Sequence, residues 1–369
     1  MAGLGTAQKT ARYFVMFKAS SVPLVTLPTA LREFGKPSEY SVDLGKCENC
    51  AVSTLALETI RNPEAGLLRD HWNPQDSVLR QKLAALHGVE SDQVFVVSGG
   101  MAGIKYAFDV FAQSGTKVGI LQPDFPFFRY YAHRVKTDIA ELRNSVFPFK
   151  HEVEDIIRFV QDGGRDMLII SSPSAATGAR KSVSEVEEIV KSLPETMIVV
   201  DEADALDAES AAELTLRYDN LMILRSFSKF YGLAGLRIGY IVVPAKHTEH
   251  FDRMIDILEV TSLAVLAARA VLDDANYQKE TQERTAKSRA MMEEACIGTP
   301  YQVAPGTSCF ACYIWAPEGV EDPRDLLARY GIHIADGQKC FGISRGGRIN
   351  LSNPDEVLLA AKVIKSTKK

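Results

Sequence analysis

Residues 221–243 of the chain read LMILRSFSKFYGLAGLRIGYIVV. Two apolar runs, Leu221–Leu224 and Ile238–Val243, enclose a segment rich in serine and glycine that carries one lysine, Lys229. Short runs that are apolar at nearly every position are typical of strands covered on both faces of a sheet. The stretch therefore predicts two buried strands, with Lys229 just beyond the end of the first.

Similar apolar runs precede this stretch, and amphipathic segments of helical length separate them. The runs are Val94–Val97, Lys117–Leu121, Met167–Ile170 and Met197–Val200. Such alternation predicts an α/β fold whose main domain is a doubly wound, mainly parallel sheet.

The second half of the chain predicts a smaller α+β unit. A long helical stretch from Ala245 into residues 263–273 is expected to lead away from the sheet. The main pieces that follow are helix Gln278–Ala295, strand Phe310–Trp315, helix Pro323–Tyr330 and strand Arg348–Leu351. We expect an N-terminal arm over residues 1–45 that adds to the small domain, a large domain over 46–260 and a small domain over 261–369.

Composition excludes several classes of protein. The net charge of −5 argues against a nucleic-acid-binding surface, which needs excess positive charge. No run of about 18 apolar residues occurs, so no membrane span is expected. The six cysteines are too sparse for a secreted disulfide framework, which fits a cytoplasmic protein. Residues 1–32 lack acidic residues and faintly resemble an organelle transit peptide, but we expect an arm that packs on a partner subunit.

Two cysteine pairs, at 47 and 50 and at 309 and 312, have the spacing of zinc ligands. The second pair lies in a predicted strand, where residues three apart point to opposite faces. We interpret these thiols as small buried hydrophobic side chains and expect no metal site.

Polar groups follow the ends of the predicted strands, where ligands bind in open α/β sheets. These groups lie in Ser98-Gly99-Gly100-Met101, Gln122–Phe125, Ser171–Gly178, Asp201 and Arg225–Lys229. Together they match the needs of pyridoxal 5′-phosphate (PLP): a lysine for the Schiff base, a carboxylate at the pyridine nitrogen, phosphate donors and an aromatic face. Alternatively, Asp201 caps a helix and Lys229 is a solvated surface charge. A nucleotide site at Gly99-Gly100 is disfavoured because no GxGxxG or Walker pattern is present.

Ser226–Tyr240, SFSKFYGLAGLRIGY, closely resembles the lysine signature of the class I and II aminotransferases, above all the histidinol-phosphate aminotransferase-like branch. The resemblance implies that Lys229 forms the Schiff base with PLP. It also implies that Ser226, Ser228 and Arg237 bind the cofactor phosphate.

Weaker matches extend the resemblance over most of the chain from about residue 43. They assign the phosphate-binding helix start to Gly100 and Met101, and the ring-stacking aromatic to Phe125. They assign the arginine that binds the substrate carboxylate to Arg348. Further matches imply substrate contacts at Glu48 and Asn49 and, at Trp72, a contact to the cofactor phosphate of a neighbouring subunit. A homodimer with shared active sites is therefore expected.

Two departures from the family pattern affect the phenolic oxygen of the cofactor. An asparagine that donates to this oxygen in the family is replaced by Ala175, and a tyrosine by Asp204. One explanation is that Asp204 belongs to a solvated acidic helix start and that water replaces the donors. The other is that Asp204 lies at the cofactor and that the site is retuned, with a carboxylate able to hold a basic substrate.

The sequence thus predicts a PLP-dependent enzyme acting at the α-carbon of an amino acid. Lys229 is the expected general base, and Asp201 maintains the cofactor as electron sink. Transamination is the first interpretation. Elimination, cyclisation, decarboxylation or oxidative deamination of a specialised amino acid is the alternative, and a non-catalytic PLP-binding module is a third.

Overall fold

The structure, a computed structural model, describes residues 40–69, 75–206, 210–256 and 258–368. Apart from residues 40–45, the predicted N-terminal arm lies outside the described residues. The helices are α1 Thr54–Arg61, α2 Ala65–Arg69, α3 Gln75–His87, α4 Gly99–Phe111, α5 Phe127–Val135, α6 Val153–Gly163, α7 Val183–Ser192, α8 Thr248–Met254, α9 Ser262–Asp273, α10 Ala275–Cys296, α11 Pro323–Ala328, α12 Gly337–Phe341 and α13 Pro354–Lys365. The strands are β1 Val42–Asp43, β2 Val94–Val97, β3 Lys117–Gln122, β4 Asp138–Arg143, β5 Met167–Ser171, β6 Met197–Asp201, β7 Leu221–Ser226, β8 Gly239–Val242, β9 Gln302–Val303, β10 Ala311–Trp315, β11 Ile332–His333, β12 Ala335–Asp336 and β13 Gly346–Asn350.

The large domain is built on a seven-stranded sheet of order β2-β8-β7-β6-β5-β3-β4. Its strands are parallel except for β8, which runs antiparallel to both of its neighbours. The prediction of a mainly parallel α/β sheet is confirmed. Every residue of β2, β5 and β8 is buried, and full burial of each large aliphatic side chain there contributes about 1.5–3 kcal/mol.

All six predicted strands of this sheet are present, with ends shifted by one or two residues. The sequence analysis missed β4, which pairs with β3 at the edge of the sheet. Its sequence, DIAELR, is not a continuous apolar run, and none of its residues is fully buried. An edge strand with a partly solvated face lacks the pattern that identified the others.

The single helical stretch predicted from Ala245 into residues 263–273 is wrong. A short 3-10 turn and α8 end by Met254, and α9 begins at Ser262. The intervening segment carries Glu259, whose carboxylate accepts hydrogen bonds from the Ser98 amide (2.9 Å) and the Tyr106 hydroxyl (2.8 Å). The break thus brings Glu259 to the start of α4, a contact that local sequence cannot indicate.

Helix α9 packs against α1 and α3, and its buried alanines and valines belong to the core of the large domain. Helix α10 packs against α13 in the core of the small domain. We therefore place the domain boundary at the junction of α9 and α10, later than the expected position 261. None of the described helices is long and apolar enough to cross a membrane.

The small domain contains a sheet of order β12-β13-β10-β9 and a parallel pair formed by β1 and β11. Residues 42–43 therefore pair with a strand of the small domain. The expected extent of the N-terminal arm stays a prediction. After β1 the chain is held by Leu44, whose amide donates to His333 and whose carbonyl accepts from the amide of Asn350, both at 2.8 Å. These bonds direct the next residues, 45–50, toward the carboxyl edge of the large sheet.

Candidate active site

Strands β3, β5, β6 and β7 run parallel and end side by side at one edge of the large sheet. Asp201, the last residue of β6, pairs with Leu224 of β7. The chain continues from these strand ends into the segments that carry Phe125 and Lys229. Because carboxyl ends of parallel strands lie on the same side, residues far apart in sequence meet at this edge.

Asp201 is buried, with 6% of its surface exposed. Among the described residues its carboxylate accepts one hydrogen bond, from the amide of Ala203 at 2.9 Å. Burial raises the pKa of Asp201 to about 8, and the nearby carboxylates of Asp204, Asp124 and Glu202 add to the effect. A positively charged N–H donor placed against this carboxylate would relieve the cost of its burial.

The amine of Lys229 donates a hydrogen bond to the carbonyl oxygen of Cys47 at 2.6 Å. Burial by itself lowers the pKa of Lys229. The Asp204 carboxylate and the charge that the Cys47 thiol acquires only at high pH outweigh this effect, so the pKa of Lys229 lies above its ordinary value. The loop turns at Gly232, which has a φ of 71°. A Cβ there would lie 2.7 Å from the carbonyl oxygen of Ala51, so this turn requires glycine.

The start of α4 lies against Arg237 and Ser226. Gly99 has a φ of 76°, and a Cβ on it would lie 2.9 Å from the guanidinium of Arg237. The side chain of Ser98 makes no capping hydrogen bond to the helix. The amide of Ser228 donates to the Ser226 hydroxyl at 3.1 Å, which draws the two serines together. Helix amides, hydroxyls and a guanidinium in one place form a suitable site for a phosphate.

Phe125 follows Asp124, a buried carboxylate that the sequence analysis did not assign to the site. Asp124 accepts hydrogen bonds from the amides of Phe125 (2.7 Å) and Ser171 (3.1 Å), which ties the aromatic segment to the end of β5. Burial raises the pKa of Asp124 to about 6. Its position after a strand end was a detectable signal, but no expected chemical role matched it.

Arg348 lies in the middle of β13 and is buried. Its guanidinium donates to the carbonyls of Ala175 (2.9 Å) and Gly45 (3.3 Å) and lies 5.1 Å from the ring centre of Phe341. The arginine thus bridges the small domain, the turn after β5 and the segment after β1. Its charge also reaches Lys229, which places it at the same site.

With this geometry in view, comparison with known proteins identifies the family. A family model described as aminotransferase class I and II matches residues 61–364. The chain belongs to this family. Histidinol-phosphate aminotransferase 1 of Bordetella parapertussis is 30% identical over 283 residues, which cover 75% of this chain and 77% of that protein. The histidinol-phosphate aminotransferase of Natronomonas pharaonis is 30% identical over 90% of this chain and 93% of its own length.

Solved structures share the fold. Histidinol-phosphate aminotransferase from Sinorhizobium meliloti, in complex with PLP, superposes with a TM-score of 0.79 at 23% identity and covers 93% of this chain and 96% of its own. A decarboxylase from Sulfurospirillum multivorans superposes with a TM-score of 0.74 at 19% identity, covering 92% of this chain and 98% of its own. At these identities the likeness shows the fold alone. Family membership makes this aminotransferase-family protein a PLP-dependent enzyme.

The described residues fit that cofactor. Lys229 offers an amine, and Asp201 offers a buried carboxylate without a cationic partner among its described hydrogen bonds. The start of α4 with Ser226 and Arg237 offers the donor set that a phosphate requires. Met101 follows in the same turn of α4, and Phe125 supplies an aromatic ring at the neighbouring strand end.

Three predicted residues differ from expectation or cannot be placed. Both ends of the Asn49 amide are engaged within the protein: its nitrogen donates to Phe230 (3.0 Å) and Tyr277 (2.8 Å), and its oxygen accepts from Arg284 (2.9 Å). Asn49 therefore braces the residue next to Lys229, and the substrate contact expected of it stays a prediction. Glu48 is exposed, and its carbonyl accepts from Asn350. Trp72 lies outside the described residues.

Asp204 is not part of a solvated helix start, so the first explanation for its presence is wrong. Only 5% of its surface is exposed, compared with 4% for Glu202, and residues 203 and 204 form a turn. The thiol of Cys47 lies 3.7 Å from its carboxylate, and the Cys309 amide donates to its carbonyl at 2.8 Å. Asp207 and Glu209, also counted in the acidic run, lie outside the described residues.

The cysteine pairs separate in the structure. Cys309 packs in the large-domain core and Cys312 in the small-domain core, so the predicted opposite orientation of this pair is confirmed. Cys47 contacts Asp204, while the Cys50 thiol donates to the carbonyl of Ser352. No cluster of three or more metal-binding side chains occurs in the part of the chain that the structure describes. The sequence analysis did not foresee that Cys47 and Cys309 lie beside Lys229.

Proposed function

We propose that the protein is an aminotransferase in which Lys229, Asp201 and Arg348 carry the reaction on an α-amino acid. The observation on which this depends is that an amine, a buried carboxylate and a buried guanidinium meet at one edge of the sheet. Bound PLP supplies a ring that accepts the electron pair released when a bond at the substrate α-carbon breaks.

Lys229 would hold PLP until the substrate amine takes its place. Its freed amine would then take the proton from the α-carbon and pass it to the cofactor carbon bonded to the substrate nitrogen, which is the transfer that transamination requires. Asp201 keeps a proton on the ring nitrogen, because a cation there offsets the cost of burying the carboxylate. Gly100, Met101, Ser226, Ser228 and Arg237 hold the phosphate, and Phe125 covers the ring.

Arg348 binds the substrate carboxylate through two parallel hydrogen bonds. The guanidinium now donates to the carbonyl oxygens of Ala175 and Gly45, which are uncharged acceptors. A substrate carboxylate can replace them, because its negative charge adds a favourable Coulomb energy. The stacking of the guanidinium near Phe341 keeps its plane fixed while partners exchange. Glu48, an exposed residue of the segment 45–50 that also carries Gly45, contacts the distal part of the substrate.

We further propose a cytoplasmic homodimer with shared active sites. Large apolar side chains are exposed on the first two helices, at Leu55 of α1 (41%) and Leu68 of α2 (65%). Val52, just before α1, is exposed as well (45%). These two short helices lead directly into the segment that contains Trp72, the residue expected to reach a neighbouring cofactor. Light scattering on the purified protein tests this proposal, and a monomer at micromolar concentration would contradict it.

A second candidate function is non-transaminating chemistry at the same carbon. It is favoured by the replacement of two hydrogen-bond donors by Ala175 and the buried Asp204. Enzymes of this fold catalyse such reactions, since one of the solved structures that share the fold is a decarboxylase.

The deciding experiment incubates the PLP-loaded protein with a panel of amino acids and histidinol phosphate in the absence of an amino acceptor. Transamination yields one equivalent of keto product and one of pyridoxamine phosphate per site. Release of ammonia or carbon dioxide with repeated turnover identifies the second candidate. Failure to bind PLP would contradict both.

A further inference from the structure

The segment after β1 contributes a contact that the proposed reaction does not explain. Cys47 touches the Lys229 amine through its carbonyl oxygen at 2.6 Å and the Asp204 carboxylate through its thiol at 3.7 Å. One residue of the segment that follows β1 therefore links the amine of Lys229 to the buried carboxylate of Asp204.

The backbone of Asp204 is held in this place by a hydrogen bond and by the neighbouring end of β6. Its carbonyl accepts the amide of Cys309, and Asp201, three residues earlier, is fixed at the end of β6. Among the described residues, the carboxylate of Asp204 accepts a hydrogen bond from the thiol of Cys47, which is a weak donor. Asp204 is 5% exposed, and its carboxylate bonds only to a thiol within the described residues. A nearby positive charge would offset the free-energy cost of burying it in the charged form.

We propose that Asp204 is a positioning residue of this enzyme, whose carboxylate holds the proton on the Lys229 nitrogen, with Cys47 as the link between the two. The proposal rests on the proposed role of Lys229. It assigns Asp204 an electrostatic function at a stated atom, and it explains why a buried carboxylate is tolerated beside Asp201.

The other groups that face Lys229 do not supply this negative charge. Burial raises the pKa of the Cys47 thiol, and that of Cys309 is raised well above its ordinary range, so both stay neutral near pH 7. Arg348 is positive and opposes protonation of Lys229. Among the groups that act on the charge of Lys229, Asp204 is the carboxylate.

The test is a pH titration of the visible absorption of the bound cofactor, which reports whether the Lys229 nitrogen carries a proton. In Asp204→Asn, which keeps the shape but removes the charge, we expect the midpoint to fall by about one pH unit or more. Asp204→Glu restores the charge and should return the midpoint most of the way to that of the wild type.

Glu202→Gln is the matched control. Glu202 has the same burial and lies two residues away, but its oxygens accept from Ser210 (2.6 Å) and Ala211 (2.8 Å), and it lies 3.8 Å from Arg225. We expect its midpoint to match the wild type. A structural effect on this segment would move the control as well, whereas an electrostatic effect on Lys229 moves only the Asp204 variants.

Superimposable titrations of wild type and Asp204→Asn would overturn the proposal while leaving the PLP enzyme intact. A protein that binds no PLP would instead overturn the proposed function, so the two failures are distinct. If Asp204→Asn does not fold, Asp204→Ser carries the same expectation, because it also removes the charge, and an unshifted midpoint there has the same meaning.

Discussion

The phosphate cradle and the surroundings of the Lys229 amine both include residues of the 226–237 loop but differ in their relation to the family pattern. In the cradle, formed by the start of α4 with Ser226 and Arg237, the residues match those that the resemblance assigns to the phosphate. The tyrosine that reaches a neighbouring phosphate in the family is Trp72 here, which lies outside the described residues. Around the amine, Ala175 and Asp204 replace the expected donors, and Cys47 contributes the nearest contact. The difference indicates that holding the cofactor and tuning its chemistry are separate tasks, and that among the described residues the departures concern the second.

The largest effect is expected from removing the amine itself. We call Lys229 with its neighbours Cys47, Asp204 and Arg348 the amine region. In Lys229→Ala, we expect loss of the covalent link to PLP and a fall in activity of about four orders of magnitude or more, because no arginine in the loop can replace a lysine amine. Borohydride treatment followed by peptide mapping measures the link. A reduced adduct at a different lysine would contradict the assignment, whereas the phosphate cradle should still retain PLP non-covalently.

Arg348→Ala tests the substrate side of the amine region. We expect the apparent Kd of the substrate to rise by roughly one to two orders of magnitude, since a charge-assisted bidentate pair contributes about 1.5–3 kcal/mol. Cofactor affinity should hardly change. Arg348→Lys is the control that keeps the charge without the planar fork. Unchanged substrate affinity in the alanine variant would mean that the carboxylate binds elsewhere or that the substrate has none.

The buried carboxylate of Asp201 predicts a pH dependence of stability in the cofactor-free protein. Its folded pKa of about 8 exceeds the unfolded value of about 3.9, so the folded state retains a proton that the unfolded chain has released between these values. The free energy of unfolding should therefore fall as pH rises from about 4 to 8, by up to about 1.4 kcal/mol per pH unit.

Urea unfolding at several pH values measures this slope. Asp201→Asn should flatten it, and so should bound PLP if its ring nitrogen pairs with the carboxylate. A slope that is identical in wild type and Asp201→Asn would show that Asp201 is not the group responsible. Asp124, with a pKa of about 6, should leave a smaller residual slope below that pH.

The sequence allowed most of the cradle to be predicted because its residues are neighbours in a dense motif and follow apolar strands. Asp201 and Lys229 were found from the same strand ends. Cys47 was missed because its role comes from contacts to residues more than 150 positions away in the sequence. The burial of Asp204 was left open for the same reason, since a run of acidic residues has the same local pattern whether it faces solvent or Lys229.

The β4 strand and the break before α9 illustrate the same limit within the fold. A polar edge strand and a loop fixed by Glu259 depend on distant partners, Ser98 and Tyr106 among them. Periodicity identifies elements that are buried on both faces, because their pattern is set by burial alone. It does not identify elements whose shape is set by one long-range hydrogen bond.

The smallest expected effect restores the family residue at the departure. In Asp204→Tyr, a phenol that donates to the phenolic oxygen of PLP replaces a carboxylate, so the anionic form of that oxygen gains a donor and the Lys229 nitrogen loses a negative neighbour. Both changes favour release of the proton from that nitrogen, and each hydrogen bond to a charged group contributes about 1.5–3 kcal/mol. We expect the midpoint of the absorbance titration to shift downward by about one pH unit or more and any transaminase activity to rise.

The tyrosine must fit beside Cys47 and Cys309, so Asp204→Phe, of similar volume without the hydroxyl, is the control. It should share the effect of removing the charge and lack the effect of adding a donor. Equal shifts in the two variants would assign the whole effect to charge, and no shift in either would show that the amine region is insensitive to residue 204.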